Sequence, residues 1–278
     1  MQRVESREAL WESIGQVSRQ AKEFTTSFFA APQQIQGWID RGVLFQVPGT
    51  ECVLILRRSR DCSYVYHVAQ SNESLARTLA MLNGGTTWVA ELVGRAEDTS
   101  GNARVYERQG FVERSTLFRM ARTNEGSSSD TVNDAQVVFA QRADLDDVAE
   151  FFSQLLDPLV DHIPEKRDLE LAIAAQQVLI VRRGGDVGGA LIFETTGATS
   201  HLRYWYVRES LRGRGIGAQL QQKFLSLCRA SRRIILWVAR GNTGAIAKYE
   251  HYGFHKEEIA DRIMVKRGTS QTLQNAAL

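Results

Sequence analysis

The stretch from His201 to Leu220, HLRYWYVRESLRGRGIGAQL, decides the reading of this chain. A strand through Val207 runs straight into Arg212-Gly213-Arg214-Gly215-Ile216-Gly217, and a helix is predicted from about Ile216 to Arg229. The start of a helix carries unpaired backbone N–H groups and the positive end of its dipole. Glycines let that backbone curl and come close to an anion. Such a turn is a cradle for a phosphate or pyrophosphate. Arg212 and Arg214 add charge to it, and Arg203 and Arg208 are expected nearby. The spacing is not GxGxxG, and no GK[ST] follows, so neither the dinucleotide fingerprint nor the P-loop applies. Taken alone, the segment also fits an ordinary glycine-rich turn with exposed arginines.

Working outward, Gln136–Ala140 reads as a strand, and Asp144 is expected to cap a helix over Leu145–Leu156. Pro158 and Pro164 bracket an irregular piece, and Leu169–Gln176 reads as helical. Strands follow at Val178–Arg182, Val187–Glu194 and Ser200–Val207, with another at Ile234–Ala239 after the predicted helix. This alternation predicts an α/β or α+β domain with a mixed sheet.

The C-terminal part of this pattern occurs twice. TTWVAELVGRAEDTSGNARVYERQGFVERSTLFRMAR ends the first half, and IILWVARGNTGAIAKYEHYGFHKEEIADRIMVKR ends the second. Each reads as a strand carrying Trp-Val-Ala, a loop, a helix carrying Tyr-Glu, Gly-Phe and a closing strand. Tyr106 to Gly110 and Tyr249 to Gly253 have the same spacing. Midway lies TNEGSSSDTVNDA, Thr123 to Ala135, too polar to offset chain entropy by burial. These features predict a duplicated domain: residues 1–123, a linker at 124–135, a second domain at 136–267 and a flexible tail at 268–278.

Composition limits the classes of function. The 278 residues are 43% apolar and 24% charged, with a net charge of +2. That is a globular chain with too small a charge excess to indicate a nucleic-acid or membrane-surface partner. Cys52, Cys62 and Cys228 are isolated and odd in number, which fits reduced thiols in a cytoplasmic protein. No apolar run approaches the ~20 residues of a membrane span, and the charged beginning has no secretory h-region. No His, Cys or carboxylate cluster has metal-ligand spacing.

Val207 to Gly217, VRESLRGRGIG, resembles the [QR]xxGx[GA] motif of the GNAT acetyltransferases. Asn242, Ala245, Tyr249, Gly253 and Phe254 resemble that family's later Asn…Ala…Tyr…Gly-Phe motif, in the right order and spacing. The first half resembles the family only through the later motif. Its corresponding strand, CSYVYHVA (Cys62–Ala69), runs into QSNESLARTLAML without glycine. The resemblance therefore implies two tandem GNAT-like domains, each a mixed, mostly antiparallel sheet flanked by helices. The first is degenerate and lacks the cradle.

It also implies an acyltransferase that moves an acetyl or other short acyl group from acetyl-CoA to an amine. The acceptor is expected to be a small molecule, and the protein a monomer or homodimer. Tyr206 and Val207 would pair with the pantetheine arm, and a backbone N–H near Val207 would polarise the thioester. The amides of Arg212, Gly213, Arg214, Gly215, Ile216, Gly217 and Ala218 would hold the pyrophosphate, and Asn242 would reach the pantetheine. Tyr249 matches the family's general acid, with a core tyrosine as its alternative role. The base falls on His201, which also fits a strand-end residue in solvent, or on Glu194 acting through water. Asp161 and His162 lie where the family contacts its acceptor, and also fit plain loop residues. A CoA-binding regulatory or scaffold protein without turnover is the alternative function. Transfer from aminoacyl-tRNA and decarboxylation are more distant ones.

Overall fold

The computed structural model describes residues 1–21, 24–82, 85–124 and 136–268. The expected linker from residue 125 onward, and the expected tail beyond Gly268, lie outside the described residues. In chain order the first elements are β1 (Gln2–Arg3), α1 (Arg7–Gln20), β2 (Thr25–Thr26), α2 (Pro32–Asp40), β3 (Leu44–Val47), β4 (Cys52–Arg58) and β5 (Ser63–Ala69). Then come α3 (Asn72–Leu79), β6 (Trp88–Arg95), α4 (Ala96–Arg108), β7 (Val112–Thr123) and β8 (Val138–Phe139). The remainder is α5 (Leu145–Leu155), α6 (Lys166–Ala174), β9 (Val178–Arg183), β10 (Asp186–Thr196), β11 (Thr199–Val207), α7 (Ile216–Leu227), β12 (Arg233–Ala239), α8 (Thr243–His251) and β13 (His255–Lys266). No helix among the described residues is long and apolar enough to cross a membrane.

The described residues form two compact units, one from the stretches 1–117 and 258–268 and the other from those between 118 and 257. In the first unit the sheet runs β1-β3-β4-β5-β6-β13. Its last strand comes from the far end of the chain, with Ile259 to Lys266 antiparallel to Arg95 to Trp88. β5 and β6 are parallel over only two residue pairs, Ser63 with Trp88 and Tyr64 with Val89. The helices α3 and α4 cover an apolar core that includes Leu54, Leu75, Leu92 and Tyr106.

In the second unit the order is β7-β12-β11-β10-β9-β8, with β7 contributing residues 118–123. Two cores sandwich this sheet. On one face α7 packs Ile216, Leu220 and Phe224 against Leu202, Leu236 and Phe193. On the other, α5 and α6 pack Phe151, Phe152, Leu169 and Ile173 against Ile180, Ala190 and Ile192. Alternation along each strand creates the two faces, because successive side chains point to opposite sides. Gly188 and Gly189 of β10 allow close approach: a Cβ on Gly189 would lie 2.8 Å from Ile216, and one on Gly188 2.6 Å from Leu211.

Local details depart from the sequence expectations. α6 starts at Lys166, ahead of the expected Leu169. Asp144 takes the N-cap position of α5 as expected, but its side chain makes no cap bond. Its carboxylate accepts the Gln141 N–H at 2.7 Å and pairs with Arg182, so a short 3-10 turn leads into the helix. The sequence pattern favoured a cap because Asp suits that position, but a strand arginine 38 residues away offered a stronger partner.

Candidate functional site

The second unit's sheet opens at β11. Thr199 to Leu202 pair in parallel with Arg233 to Leu236, and there the pairing stops, although β11 continues to Val207 and β12 to Ala239. The split has a local cause. On the other edge of β11, Leu202 faces Phe193 and Tyr204 faces Ile192, so Arg203 is an extra residue, a β-bulge. A bulge bends its strand and raises local twist, which carries β11 away from β12.

The register then decides which backbone groups face the opening. Arg208 N–H bonds to Gly188 C=O at 2.9 Å, on the β10 side. By alternation, Tyr206 and Tyr204 also bond towards β10, and the N–H and C=O groups of Trp205 and Val207 point into the split. Arg212 Nε, 3.4 Å from Val207 C=O, is already on that side. The Val207 backbone therefore faces the split. The backbone of Tyr206 instead belongs to the β10 ladder, while its phenol faces the α5/α6 side near Asp161.

The glycine turn lies just beyond. Gly213 and Gly215 have φ of 78° and 80°, the left-handed region that glycine enters without a Cβ penalty. Gly215 is the N-cap of α7, with no side-chain cap bond. The first bond into the helix is Gln219 N–H to Gly215 C=O, 3.0 Å, so the amides of Ile216, Gly217 and Ala218 are spare donors. Arg212, Gly213, Arg214 and Ala218 are exposed around them, whereas the Ile216 side chain is buried in the core. Arg208 is not part of this turn. It donates to Val187 C=O at 2.8 Å and lies over the Phe151 ring.

Tyr249 comes from α8 and packs its ring against Trp205 at 5.5 Å, with Phe254 behind it. Burial, and then the Tyr206 phenol, push its hydroxyl far above the usual tyrosine value, so it is a neutral O–H donor at physiological pH. Asn242 caps α8, its Oδ1 accepting the Ala245 N–H at 3.1 Å. Tyr252 lies edge-on to Trp205. Trp205 carries no motif of its own, yet a Cβ on the neighbouring Gly217 would sit 3.3 Å from its ring.

The remaining expected residues gather on the sheet face opposite α7. His201 and Glu194 are register partners across β11 and β10 and lie on the face that carries Ile192 and Ala190. His201 Nδ1 is 3.5 Å from Glu194 Oε1. Burial lowers the His201 pKa against the opposing pull of Glu194, and the contact with His201 draws the Glu194 pKa down. Asp161 accepts the Asp157 N–H at 2.9 Å and is itself pushed up by burial. The Tyr204 hydroxyl donates to the His162 carbonyl, tying this loop to β11. His201 sits at the closed end of the split, roughly 13 Å along the strand from Trp205. The acid and base candidates therefore do not touch.

In the first unit the same split is filled from within. Since β4 pairs with β5 along one edge, from Cys52 with Ala69 to Arg58 with Ser63, β2 must occupy the other edge. Thr25 and Thr26 pair with Ala69 and Val68 there, beyond the point where β5 and β6 part. The start of α3 is closed as well, because Ser71 Oγ accepts the Ser74 N–H at 3.1 Å. Tyr106, the counterpart of Tyr249, is fully buried and within 3.0 Å of His67 Nδ1.

Comparison with known proteins agrees with this geometry. Residues 145–254 match the model of the acetyltransferase (GNAT) family. The chain is similar in structure to a GCN5-related N-acetyltransferase from Sphaerobacter thermophilus, with a TM-score of 0.58, 17% identity and 86% of each chain covered. It is similar to a tandem GNAT protein from the clavulanic acid biosynthesis pathway, with a TM-score of 0.58, 13% identity and coverage of 97% of this chain and 99% of that one. A GCN5-related N-acetyltransferase from Kribbella flavida matches with a TM-score of 0.54, 16% identity and coverage of 84% and 93%. No curated protein matches the sequence. The matched family is one whose class of chemistry is acyl transfer from acyl-CoA. The chain as a whole has a tandem GNAT fold.

Proposed function

We propose that the second unit transfers an acetyl group from acetyl-CoA to the amine of a small-molecule acceptor, directly and within a ternary complex. The observation that carries this reading is the uncapped start of α7 beside the open end of β11, with Tyr249 on the wall between them. The pyrophosphate is held by the turn from Arg212 to Ala218. The pantetheine lies along Val207 as a surrogate strand, with Asn242 near it. An N–H in the split, at Trp205 or Val207, accepts the charge that develops on the thioester oxygen, a contribution of about 2.7–4 kcal/mol by analogy with an oxyanion-hole donor.

The neutral amine nitrogen attacks the thioester carbon, the new C–N bond forms, and the C–S bond breaks. The nitrogen gives up a proton to His201, or to Glu194, through water that spans the distance from the reacting centre. His201 suits this task because burial keeps it neutral near pH 7. Tyr249 donates a hydrogen bond from its hydroxyl to the departing thiolate, which then takes its proton from solvent. Since burial raises the proton affinity of Tyr249, hydrogen-bond donation to sulfur is the favoured part of this step.

Two measurements test the proposal. Calorimetry with acetyl-CoA is expected to give one site per chain, and free thiol should be released in the presence of amines. Absence of both heat and thiol would remove this reading. Heat without thiol from a broad amine panel would favour binding without turnover.

A further inference from the structure

The face opposite α7 holds more than the base candidates. Arg119 of β7, Arg233 of β12 and Glu257 of β13 form one ion-pair cluster on it, with Arg119 Nε 2.5 Å from Glu257 Oε2 and Arg233 on the other carboxylate oxygen. Glu257 is thus saturated by two guanidinium groups. Arg203 is differently placed. The bulge turns its side chain to the same face, where NH1 lies 3.6 Å from Glu194 Oε1 and 3.4 Å from His201 Nδ1. Both distances exceed those of well-formed N–H···O bonds. Among these three arginines, Arg203 is the one without a close carboxylate contact, its nearest partners being Glu194 and His201 at the two distances above. Its side chain is about one-third exposed. A guanidinium offers a planar fork of donors that fits a carboxylate in a bidentate fashion.

We infer that the acceptor amine carries a carboxylate and that Arg203, set out from β11 by the bulge, binds it. This rests on the acyl-transfer reading and names the acceptor class for the same site. Arg203 is a specificity residue, and Glu194 positions it by holding the guanidinium beside His201. An incoming carboxylate would take the fork that Glu194 meets only at long range, which leaves the His201 lone pair without the competing Arg203 N–H. A neutral acceptor gains neither effect.

The test compares amino acids with their primary amides as acceptors at saturating acetyl-CoA, following free thiol. The amide's amine is less basic and so more often neutral, which biases the comparison against this inference. The wild type is expected to favour the acids in kcat/KM by about tenfold or more, the worth of one charge-assisted bond pair. Arg203→Gln is expected to bring the acid-to-amide ratio to within about threefold of unity, and Arg203→Lys to keep an intermediate ratio. Thermal melting verifies that both variants fold. Equal or better turnover of the amides, or an unchanged ratio in Arg203→Gln, overturns the inference while the acyl-transfer reading stands. Acetyl-CoA binding with no carboxylated amine turned over overturns it too. Absence of both acetyl-CoA heat and thiol release removes the underlying reading, and this inference with it.

Discussion

The Tyr106 hydroxyl lies 3.0 Å from Nδ1 of His67, and both side chains are fully buried. Ser27 Oγ is 3.1 Å from the same nitrogen, and Thr25 Oγ1 is 3.4 Å from Nε2. Asn102 Nδ2 bonds to Thr25 at 2.6 Å. A neutral imidazole with its proton on Nε2 satisfies this network, with Tyr106 donating to Nδ1. The tyrosine that resembles a general acid therefore has a structural role in the first unit, while Tyr249 in the second packs on Trp205 beside a split that no strand among the unit's described residues fills.

The two tyrosines should consequently respond in opposite ways to the same change. Tyr106→Phe should lower the melting midpoint, because a buried imidazole loses a partner at a cost of about 1–3 kcal/mol. It should leave acetyl transfer intact. Tyr249→Phe should reduce kcat by about 10²-fold or more and barely change the melting midpoint. A loss of activity in Tyr106→Phe with an unchanged melting curve would contradict this assignment.

Acidification should destabilise the first unit. Burial lowers the His67 pKa from 6.5 to about 3. Above pH 6.5 neither the folded nor the unfolded form is charged at this site, and stability is complete. As pH falls from 6.5 towards 3, the unfolded chain takes up a proton that the folded one refuses, and stability declines. His201, lowered for the same reason, adds a contribution of the same sign in the second unit. Melting midpoints between pH 8 and 4 should fall below about pH 6.5, and His67→Asn should flatten the slope.

Glycine substitutions should separate strain from sterics. A Cβ on Gly215 meets nothing within 4 Å, but the φ of 80° makes Gly215→Ala strained by roughly 1–2 kcal/mol. It should weaken acetyl-CoA binding by disturbing the first amides of α7. In Gly189→Ala the Cβ would come within 2.8 Å of Ile216 and 3.2 Å of Leu220. That should cost about 1–3 kcal/mol by overpacking and shift α7 away from β10. Calorimetry and chemical denaturation together distinguish the two effects.

Thiol chemistry should report folding. Cys52, Cys62 and Cys228 are buried, and burial pushes Cys52 and Cys228 up to about 11 and raises Cys62 as well. None should react readily with an aromatic disulfide reagent in the native protein, and all three should react in denaturant. Fast labelling of one cysteine in the native chain would show that the structure around it opens.

Much of this protein is written in local chemistry. The curl at Gly213 and Gly215, the spare amides of α7 and the paired Tyr-to-Gly spacings depend on neighbours within a few residues, so they can be read directly from the chain. The absence of glycine just after Ala69 is likewise legible in the chain, and Ser71 caps α3 there. Long-range pairing decided the rest. Nothing local indicates that Thr25 and Thr26 will lie against Ala69 and Val68, since register is set by partners more than 40 residues away. The bulge at Arg203 depends on how β10 meets β11, and the charged face needs four further strands to bring Arg119, Glu194, Arg233 and Glu257 to it. Backbone conformation is selected residue by residue, whereas strand pairing and charge complementarity exist only once distant segments meet.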